Sequence, residues 1–227
     1  ECDWSSDVCS SDLSAYVNGT RVSTNSSFTA NIVNSSSTIN VGRNGDNSEY
    51  VTGYLSNTRM VVGASVYDPT QSTITVPTTP LTAITNTSLL TCQSNRFIDN
   101  SSNNATITPN GTPSVQRFSP FNPTASYDTA TIGGSGYFDG SGDYLKVPYA
   151  SVLDLNANST VEAWIYLTDT PTGTFTGIVT PYWTGTNWFG YNFGISGTKL
   201  CLQTSYGTGS TFVSITAATD KIGRAHV

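Results

Sequence analysis

The sequence predicts an all-β protein that folds as an antiparallel β-sandwich. Ser, Thr, Asn and Gly are abundant, only 11% of the residues are charged, and no run of helix-forming residues repeats with a helical period. Short segments in which apolar and polar residues alternate are separated by Gly-rich and Asn-rich turns, a pattern typical of antiparallel strands. These observations argue against a fold built on long amphipathic helices.

Both ends of the chain are expected to be foreign to the fold. Ser5–Asp12 and Ile222–Val227, written as codons, resemble the two strands of a common sequencing adapter. Residues 1–13 and 221–227 are therefore expected to be adapter-derived. The single histidine, His226, belongs to the second of these segments.

Residues 14–92 are predicted to contain a hairpin and several strands. Asn18 and Gly19 separate two short alternating segments, and an Asn-Gly pair in that position is a strong hairpin signal. Further strands are predicted at 28–33, 38–42 and 50–62. The Pro-containing and Thr-rich stretch 64–91 is predicted to lie extended on the sandwich and to end in a short strand.

Residues 93–133 are predicted to form an ordered connector. Phe97, Ile98, Phe118 and Phe121 are spaced through it, whereas a flexible linker would lack such large apolar residues. We therefore expect these side chains to pack on a neighbouring element.

Residues 134–220 are predicted to begin with a hairpin at 138–147, followed by the clearest strand of the chain. In Thr160–Leu167 the side chains of Val161, Ala163, Ile165 and Leu167 share one face, with Glu162, Trp164 and Tyr166 on the other. Phe138, Leu145 and Val147 are predicted to lie in the core. Further strands are predicted at 178–183, 188–195, 199–203 and 211–215.

Several of these segments resemble laminin G-like domains of the concanavalin A-like lectin-glucanase superfamily. The motifs that resemble closing strands of that fold are Tyr16–Val22, Ile39–Arg43 and Gly53–Val61. Those that resemble its opening strands are Phe138–Pro148 and Thr160–Leu167. The resemblance implies an antiparallel jelly-roll β-sandwich. It also implies that 14–92 is the C-terminal half of one such sandwich and 134–220 the N-terminal half of a second.

This order of halves implies a piece of a tandem array. Because each half alone would leave an apolar face and strand edges exposed, we predict that the halves dock into one nearly complete sandwich. That prediction requires contacts between the strand at 54–62 and the hairpin at 138–147.

The residues argue against catalysis. Outside the adapter-like ends there is no histidine, so no Ser-His-Asp or Cys-His site is expected. Cys92 and Cys201 are predicted to be free, half-buried thiols, with a single disulfide as the alternative. Glu162 is the one acid in a strong strand, and the paired carboxylates that a glycoside hydrolase needs are not spaced along it. We therefore predict that the protein is not an enzyme.

No cofactor is expected other than calcium, which the laminin G-like resemblance suggests. Asp46 with Asn44 and Asn47 is the first candidate site, and Asp139 with Asp143 is the second, because carboxylate and carbonyl oxygens suit a hard cation. The alternative is that these short Asp and Asn runs form turns that satisfy their own backbone.

A cluster of aromatic residues is the predicted ligand site. Tyr182, Trp183, Trp188 and Tyr191 lie in and beside a Gly-rich and Thr-rich loop, where exposed rings would stack on the apolar faces of sugars. The alternative is that the tryptophans belong to the sandwich core.

The predicted function is that of a non-enzymatic carbohydrate- or surface-binding module in a tandem-repeat extracellular or virion protein, such as an adhesin or virion tail. Its expected partners are glycans or a cell-surface protein, and neighbouring repeats of the same chain. A net charge of −6 argues against nucleic acid, and no apolar stretch is long enough for membrane insertion. The alternatives are a structural spacer without a ligand and a fragment of a glycoside hydrolase.

Overall fold

The structure is a computed structural model that describes residues 13–26, 28, 32–46, 48–121, 128, 130–156, 158–181, 190–206 and 211–218. Within these ranges the chain forms fourteen strands, one 3₁₀ turn at Ser151–Leu153 and no α-helix. The strands are β1 Leu13–Val17, β2 Thr20–Asn25, β3 Ile39–Val41, β4 Thr52–Val62, β5 Thr87–Thr91, β6 Thr108–Asn110, β7 Ser114–Gln116, β8 Ser135–Asp139, β9 Tyr144–Val147, β10 Ser159–Leu167, β11 Thr176–Pro181, β12 Tyr191–Ser196, β13 Lys199–Tyr206 and β14 Thr211–Thr216.

The strands form two main sheets and a separate hairpin. One sheet has the order β14-β13-β12-β11-β3-β9-β6, and the other has the order β10-β4-β8-β7 with β5 also paired to β4. All strand pairs are antiparallel. The predicted all-β, antiparallel architecture is confirmed and is consistent with a β-sandwich, while the jelly-roll connectivity stays a prediction.

Strands from the two predicted halves are interleaved in both sheets. In one sheet β4 lies between β10 and β8, and in the other β3 lies between β11 and β9. The predicted contact between strand and hairpin is confirmed, since Gly53 pairs with Phe138 and Tyr54 with Tyr137. The limits of the two halves themselves, 14–92 and 134–220, stay a prediction.

Alternating apolar side chains from both sheets form the core. Phe138, Leu145 and Val147, the predicted core residues of the hairpin, are fully buried. The core face of β4 supplies Leu55 and Met60, which are also fully buried. Burial of such large side chains is the main favourable term that holds the two sheets together.

The middle of β4 contains a bulge that fastens a neighbouring segment to the sheet. Asn57 has a positive φ of 52°, and the register between β4 and β10 shifts at this point. The side-chain oxygen of Asn57 accepts a hydrogen bond from the Leu81 backbone N–H at 2.7 Å, and its amide donates to Ser56 Oγ at 2.8 Å. The bulge therefore ties the extended stretch around Leu81 to the strand.

The hairpin β1–β2 faces the seven-stranded sheet beside the five-stranded one. Ala15 is part of the core, and Leu13 and Val17 pack against it. The loop at 69–72 fastens the other side of the hairpin, because Arg21 N–H donates to Ser72 O at 2.9 Å and Tyr16 OH donates to Gln71 O at 2.7 Å. The hairpin thus belongs to the layer of the five-stranded sheet without joining it.

The connector is ordered where the structure describes it. The ring of Phe118 lies 4.7 Å from that of Tyr54, and the ring of Phe121 lies 5.4 Å from that of Trp164. The expected packing is confirmed for Phe118 and Phe121, and Phe97 also packs against the core, whereas Ile98 is 42% exposed.

Both described cysteines are free thiols, as predicted. Cys92 and Cys201 are buried, more completely than the sequence indicated. Burial raises the pKa of the Cys92 thiol to about 12, since a thiolate cannot be solvated there.

Candidate functional site

The main candidate site is a cleft of about 900 Å³ between the two layers. Residues 159–164 of β10 form one side of it, and residues 13–16 of β1 form another. The stretch from Ser65 to Pro77 contributes a third wall, and side chains of β12 and β13 form the floor. The cleft therefore occupies the space between the edge of the five-stranded sheet and the neighbouring hairpin.

The floor of the cleft is apolar with two buried polar atoms. Phe193, Leu200 and Leu202 contribute its apolar surface. The hydroxyl of Thr204 and the side-chain oxygen of Asn34 have no hydrogen-bond partner among the described residues, although Thr204 is only 1% exposed. Buried polar atoms without partners are costly, so both atoms favour a ligand that supplies a donor.

One wall carries a network around the carboxylate of Glu162. Arg59 Nη2 lies 2.6 Å from Glu162 Oε1, and Arg59 Nε donates to the same oxygen at 2.8 Å. Tyr67 OH donates to Glu162 Oε2 at 2.9 Å. Burial, followed by the negative charge of Glu162, raises the pKa of Tyr67 to about 12. Both carboxylate oxygens are thus engaged within the protein.

The cleft offers an uncharged surface apart from that network. Among the described lining residues, Glu162 is the one acidic or basic side chain, and its charge is balanced by Arg59. The remaining polar lining consists of amides and hydroxyls, from Ser14, Tyr16, Asn18, Asn34, Asn57, Ser65, Tyr67, Thr70, Asn156, Asn158, Ser159, Thr160 and Thr204. Such a surface suits a neutral ligand that carries hydrogen-bonding groups.

The first predicted calcium site forms a turn in the structure. Asp46 Oδ1 accepts hydrogen bonds from the backbone N–H of Ser48 at 3.0 Å and from its hydroxyl. Asn44 is buried, and its side-chain oxygen accepts the Gly45 N–H at 2.7 Å. Asn47 lies outside the described residues. Both described members bond to local groups, and calcium at this loop stays a prediction.

The two carboxylates of the second candidate calcium site also accept hydrogen bonds from backbone N–H groups. Asp143 is buried and accepts hydrogen bonds from Thr112 N–H at 2.5 Å and from Asp139 N–H at 3.1 Å. Asp139 Oδ1 accepts the Ser141 N–H at 2.7 Å. In the described part of the chain, no three His, Cys, Asp or Glu residues are grouped as metal ligands. Asp143 thus joins the β8–β9 hairpin to the adjacent 110–112 turn.

One of the four residues of the predicted aromatic ligand site, Tyr191, lies among the described residues. Tyr182, Trp183 and Trp188 lie outside the described residues. Tyr191 is 1% exposed, and its hydroxyl lies 3.4 Å from the sulfur of Met60. Its pKa is raised, chiefly because burial disfavours the phenolate. Tyr191 therefore lies in the core of this structure, where a sugar has no access to its ring.

A different group of aromatic residues lies on the outer face of the five-stranded sheet. The rings of Tyr54 and Tyr137 are 5.1 Å apart, and Phe118 and Tyr166 are 5.2 Å apart. The alternation in β10 correctly placed Trp164 and Tyr166 on one face. It gave no information about Tyr54 or Phe118, which arrive from distant segments. The rings meet at tilted or edge-to-face angles, as in a small packed cluster.

The cleft could not be predicted from the sequence. Its polar residues come from separate segments, with Asn34, Tyr67, Glu162 and Thr204 far apart in the chain. No spacing rule brings such residues together, because only the packing of the hairpin beside β10 creates the cleft. Glu162 was singled out from its strand, but its partners Arg59 and Tyr67 were not.

Comparison with known proteins does not assign the chain to a family. Comparison with family models, with curated proteins and with solved structures finds no match to the chain. Among the described residues, no helix is both long and apolar enough to cross a membrane.

Proposed function

We propose that this chain is a non-enzymatic binding module that holds an uncharged part of a surface ligand in the cleft beside β10. The observation that carries the proposal is the cleft itself, whose charge is balanced and whose buried Thr204 hydroxyl lacks a partner among the described residues. A ligand that carries neutral donors and apolar faces would satisfy both features. Glycans and segments of cell-surface proteins both contain such groups.

The setting that we propose is a laminin G-like module in a tandem-repeat protein on a cell or virion surface. The motifs at 16–22 and 138–148 support this proposal by resemblance, and the interleaved strands support a sandwich built from both halves. The fold by itself does not fix the ligand, so the proposal depends on the cleft.

A glycoside hydrolase fits the cleft less well. Hydrolysis by the common two-carboxylate mechanisms requires a second acid across the sugar from the first. Glu162 is the one carboxylate among the described lining residues, and its two oxygens bond to Arg59 and Tyr67. We therefore propose binding without turnover.

A binding screen with a blocked cleft tests this function. Labelled protein is applied to neutral oligosaccharides, sulfated oligosaccharides and displayed peptide segments, and binding is compared with that of Ala163→Trp. The added indole would fill the cleft that Ala163 lines, so binding should fall at least about tenfold. Ile84→Trp is the matched control, because Ile84 is exposed outside the cleft lining, and it should bind as the wild type does.

Three outcomes would contradict the proposal. Binding that survives both Ala163→Trp and a second blocking variant, Leu202→Phe, would place the ligand elsewhere. Absence of any binding would favour a structural spacer. Release of reducing sugar from a neutral glucan by the wild type would favour the hydrolase. Circular dichroism of each variant checks that a loss of binding is not a loss of folding.

A further inference from the structure

Strand β10 has a hydrogen-bonding edge that no described strand occupies. It pairs with β4 alone and is the last strand on its side of the sheet. Asn158 O accepts from Gly63 N–H at 2.7 Å, and Thr168 N–H donates to Thr52 O at 3.0 Å. Bonds alternate along an antiparallel pair, so even-numbered residues direct their peptide groups to β4. Ser159, Val161 and Ala163 therefore direct theirs to the opposite edge, which lines the cleft.

The opposite side of the cleft is also a strand edge. β1 pairs with β2 alone, and residues 13–16 of β1 line the cleft in succession. Between β1 and β10 no pairing occurs in the described ranges. Both strands pack their apolar side chains against the same core, since Ala15 is a core residue and Val161 and Ala163 pack on it. The cleft thus separates two edges that lie in one layer.

The burial of β10 is incomplete along its length. All nine of its residues are half-buried, including Val161, Ala163, Ile165 and Leu167, which face the core. The core-facing Leu55 and Met60 of the adjacent β4 are fully buried. An inward-facing apolar residue that keeps solvent contact indicates missing cover rather than a surface role.

We propose that the cleft is a strand position, and that an extended segment of a partner protein fills it by pairing with the free edges of β10 and β1. The inference rests on the proposed binding function and names its ligand. Addition of a strand to an exposed edge gives affinity through main-chain hydrogen bonds and specificity through alternate side chains. The partner segment carries apolar residues at alternate positions, directed at Phe193, Leu200 and Leu202 on the floor.

The shape and charge of the cleft select a single uncharged strand. The hairpin and the stretch from Ser65 to Pro77 wall it in, so the edge of a folded second copy has no room to approach. The balanced charge of the lining would leave a charged inward side chain without a partner, which is costly. A Ser or Thr at one inward position would supply the donor that Thr204 and Asn34 lack among the described residues.

Selection from a displayed peptide library tests the inference. The library consists of nine-residue segments with Val, Ile or Leu at alternate positions and Ser, Thr or Asn between them. Selected segments are synthesised, and their binding is measured by fluorescence anisotropy against the full chain. We expect binding to fall at least about tenfold when alternate peptide nitrogens that face β10 are methylated, because methylation removes the strand-pairing donors and keeps the side chains.

Proline substitutions on β10 give the matching test on the protein. Val161→Pro removes an N–H at the free edge inside the cleft and should weaken binding at least about tenfold. Ile165→Pro is the matched control, because it also lies at the free edge but outside the cleft lining, and it should bind within about twofold of wild type. If Val161→Pro does not fold, the methylated peptides still decide the result with the wild-type chain.

Four results would overturn the inference. Equal binding of the methylated segments would show recognition by side chains alone. Failure of every segment while neutral oligosaccharides bind would replace the strand with a glycan and leave the proposed function intact. Failure of segments and oligosaccharides alike would remove both proposals. Dimerisation that Val161→Pro abolishes would assign the strand position to a second copy of the chain.

Discussion

Two neighbouring strands of one sheet, β4 and β10, differ in strand pairing and in the burial of their side chains. β4 pairs on both sides, with β10 along one edge and with β8 and β5 along the other. Its core residues Leu55 and Met60 are fully buried, whereas every residue of β10 is half-buried. Among the described strands β4 is paired along both edges and β10 along one, so the core side chains of β4 should contribute more to stability than those of β10.

The largest expected effect is a difference in unfolding free energy between core substitutions in β4 and in β10. Leu55→Ala in β4 should lower the free energy of unfolding by about 4 kcal/mol, because it removes a fully buried side chain and leaves a cavity. Ile165→Ala in β10 should cost about 1 to 2 kcal/mol, since the half-buried site lies at the edge and water already reaches it. Urea unfolding of both variants measures the difference. Equal losses would remove the contrast between the strands.

The ion pair that bridges the two strands should give the next effect. Arg59→Met leaves Glu162 with Tyr67 as its one hydrogen-bond partner among the described residues and should destabilise the protein by about 3 kcal/mol, because the carboxylate is largely removed from water. The double variant Arg59→Met/Glu162→Gln should recover at least half of that loss, since no charge remains unpaired. Chemical unfolding of the single and double variants checks this. A double variant less stable than the single one would contradict it.

Tyrosine titration should distinguish the β10 side from the β4 side of the sheet. Burial raises the pKa of Tyr67 in the folded protein to about 12, above the ordinary value of 10.0, so the unfolded chain loses this proton first. Its contribution to stability is therefore complete below pH 10 and is lost as the pH rises from 10 to 12. Tyr67→Phe should make stability less sensitive to pH in that window. The raised pKa of Cys92 should also lower the free energy of unfolding as the pH rises from 9 to 12.

The control for this titration is Tyr191, which lies beneath β4 against Met60. Its pKa is raised still further by burial, so its tyrosinate absorbance should appear only on unfolding. Ultraviolet absorbance during alkaline titration follows both residues. Early titration of Tyr191 in the folded protein would show that the core beneath β4 is as accessible as the cleft.

Two buried threonines should give the smallest effect. The hydroxyls of Thr58 in β4 and Thr204 at the cleft floor both lack partners among the described residues. Thr58→Val should raise the free energy of unfolding by about 1 kcal/mol, because it removes an unpaired polar group from the core. Thr204→Val should raise it by about the same amount, since its hydroxyl is buried to the same degree. Thermal unfolding in the absence of ligand compares the two variants.

Local sequence patterns predicted the positions and buried faces of strands better than they predicted how the strands pair. Asn18-Gly19 forms the predicted turn between β1 and β2, and the strand predicted at 160–167 is β10. Phe138, Leu145 and Val147 could be assigned to the core because alternation fixes which face of a strand is apolar. Alternation cannot say whether a strand edge is paired, so the sequence did not predict that one edge of β10 lacks a partner among the described strands.

The candidate site was harder to predict because it depends on long-range packing. Tyr191 looked like part of an exposed aromatic loop, but it is the first residue of β12 and its side chain points into the core. The sequence offers Asp143 as a calcium ligand, and in the structure its carboxylate accepts backbone N–H groups from Thr112 in the neighbouring turn and from Asp139. In both places a distant segment, absent from any local window, determines the role of the side chain.

Amide hydrogen exchange of the free protein, followed residue by residue, tests the central claim most directly. If the edge of β10 is open, the amides of Val161 and Ala163 should exchange much faster than those of Thr160 and Glu162, which face β4. The amides within β4 should all be protected. Equal, slow exchange at Val161, Ala163 and their even-numbered neighbours would show that the edge is already paired, and would contradict the account.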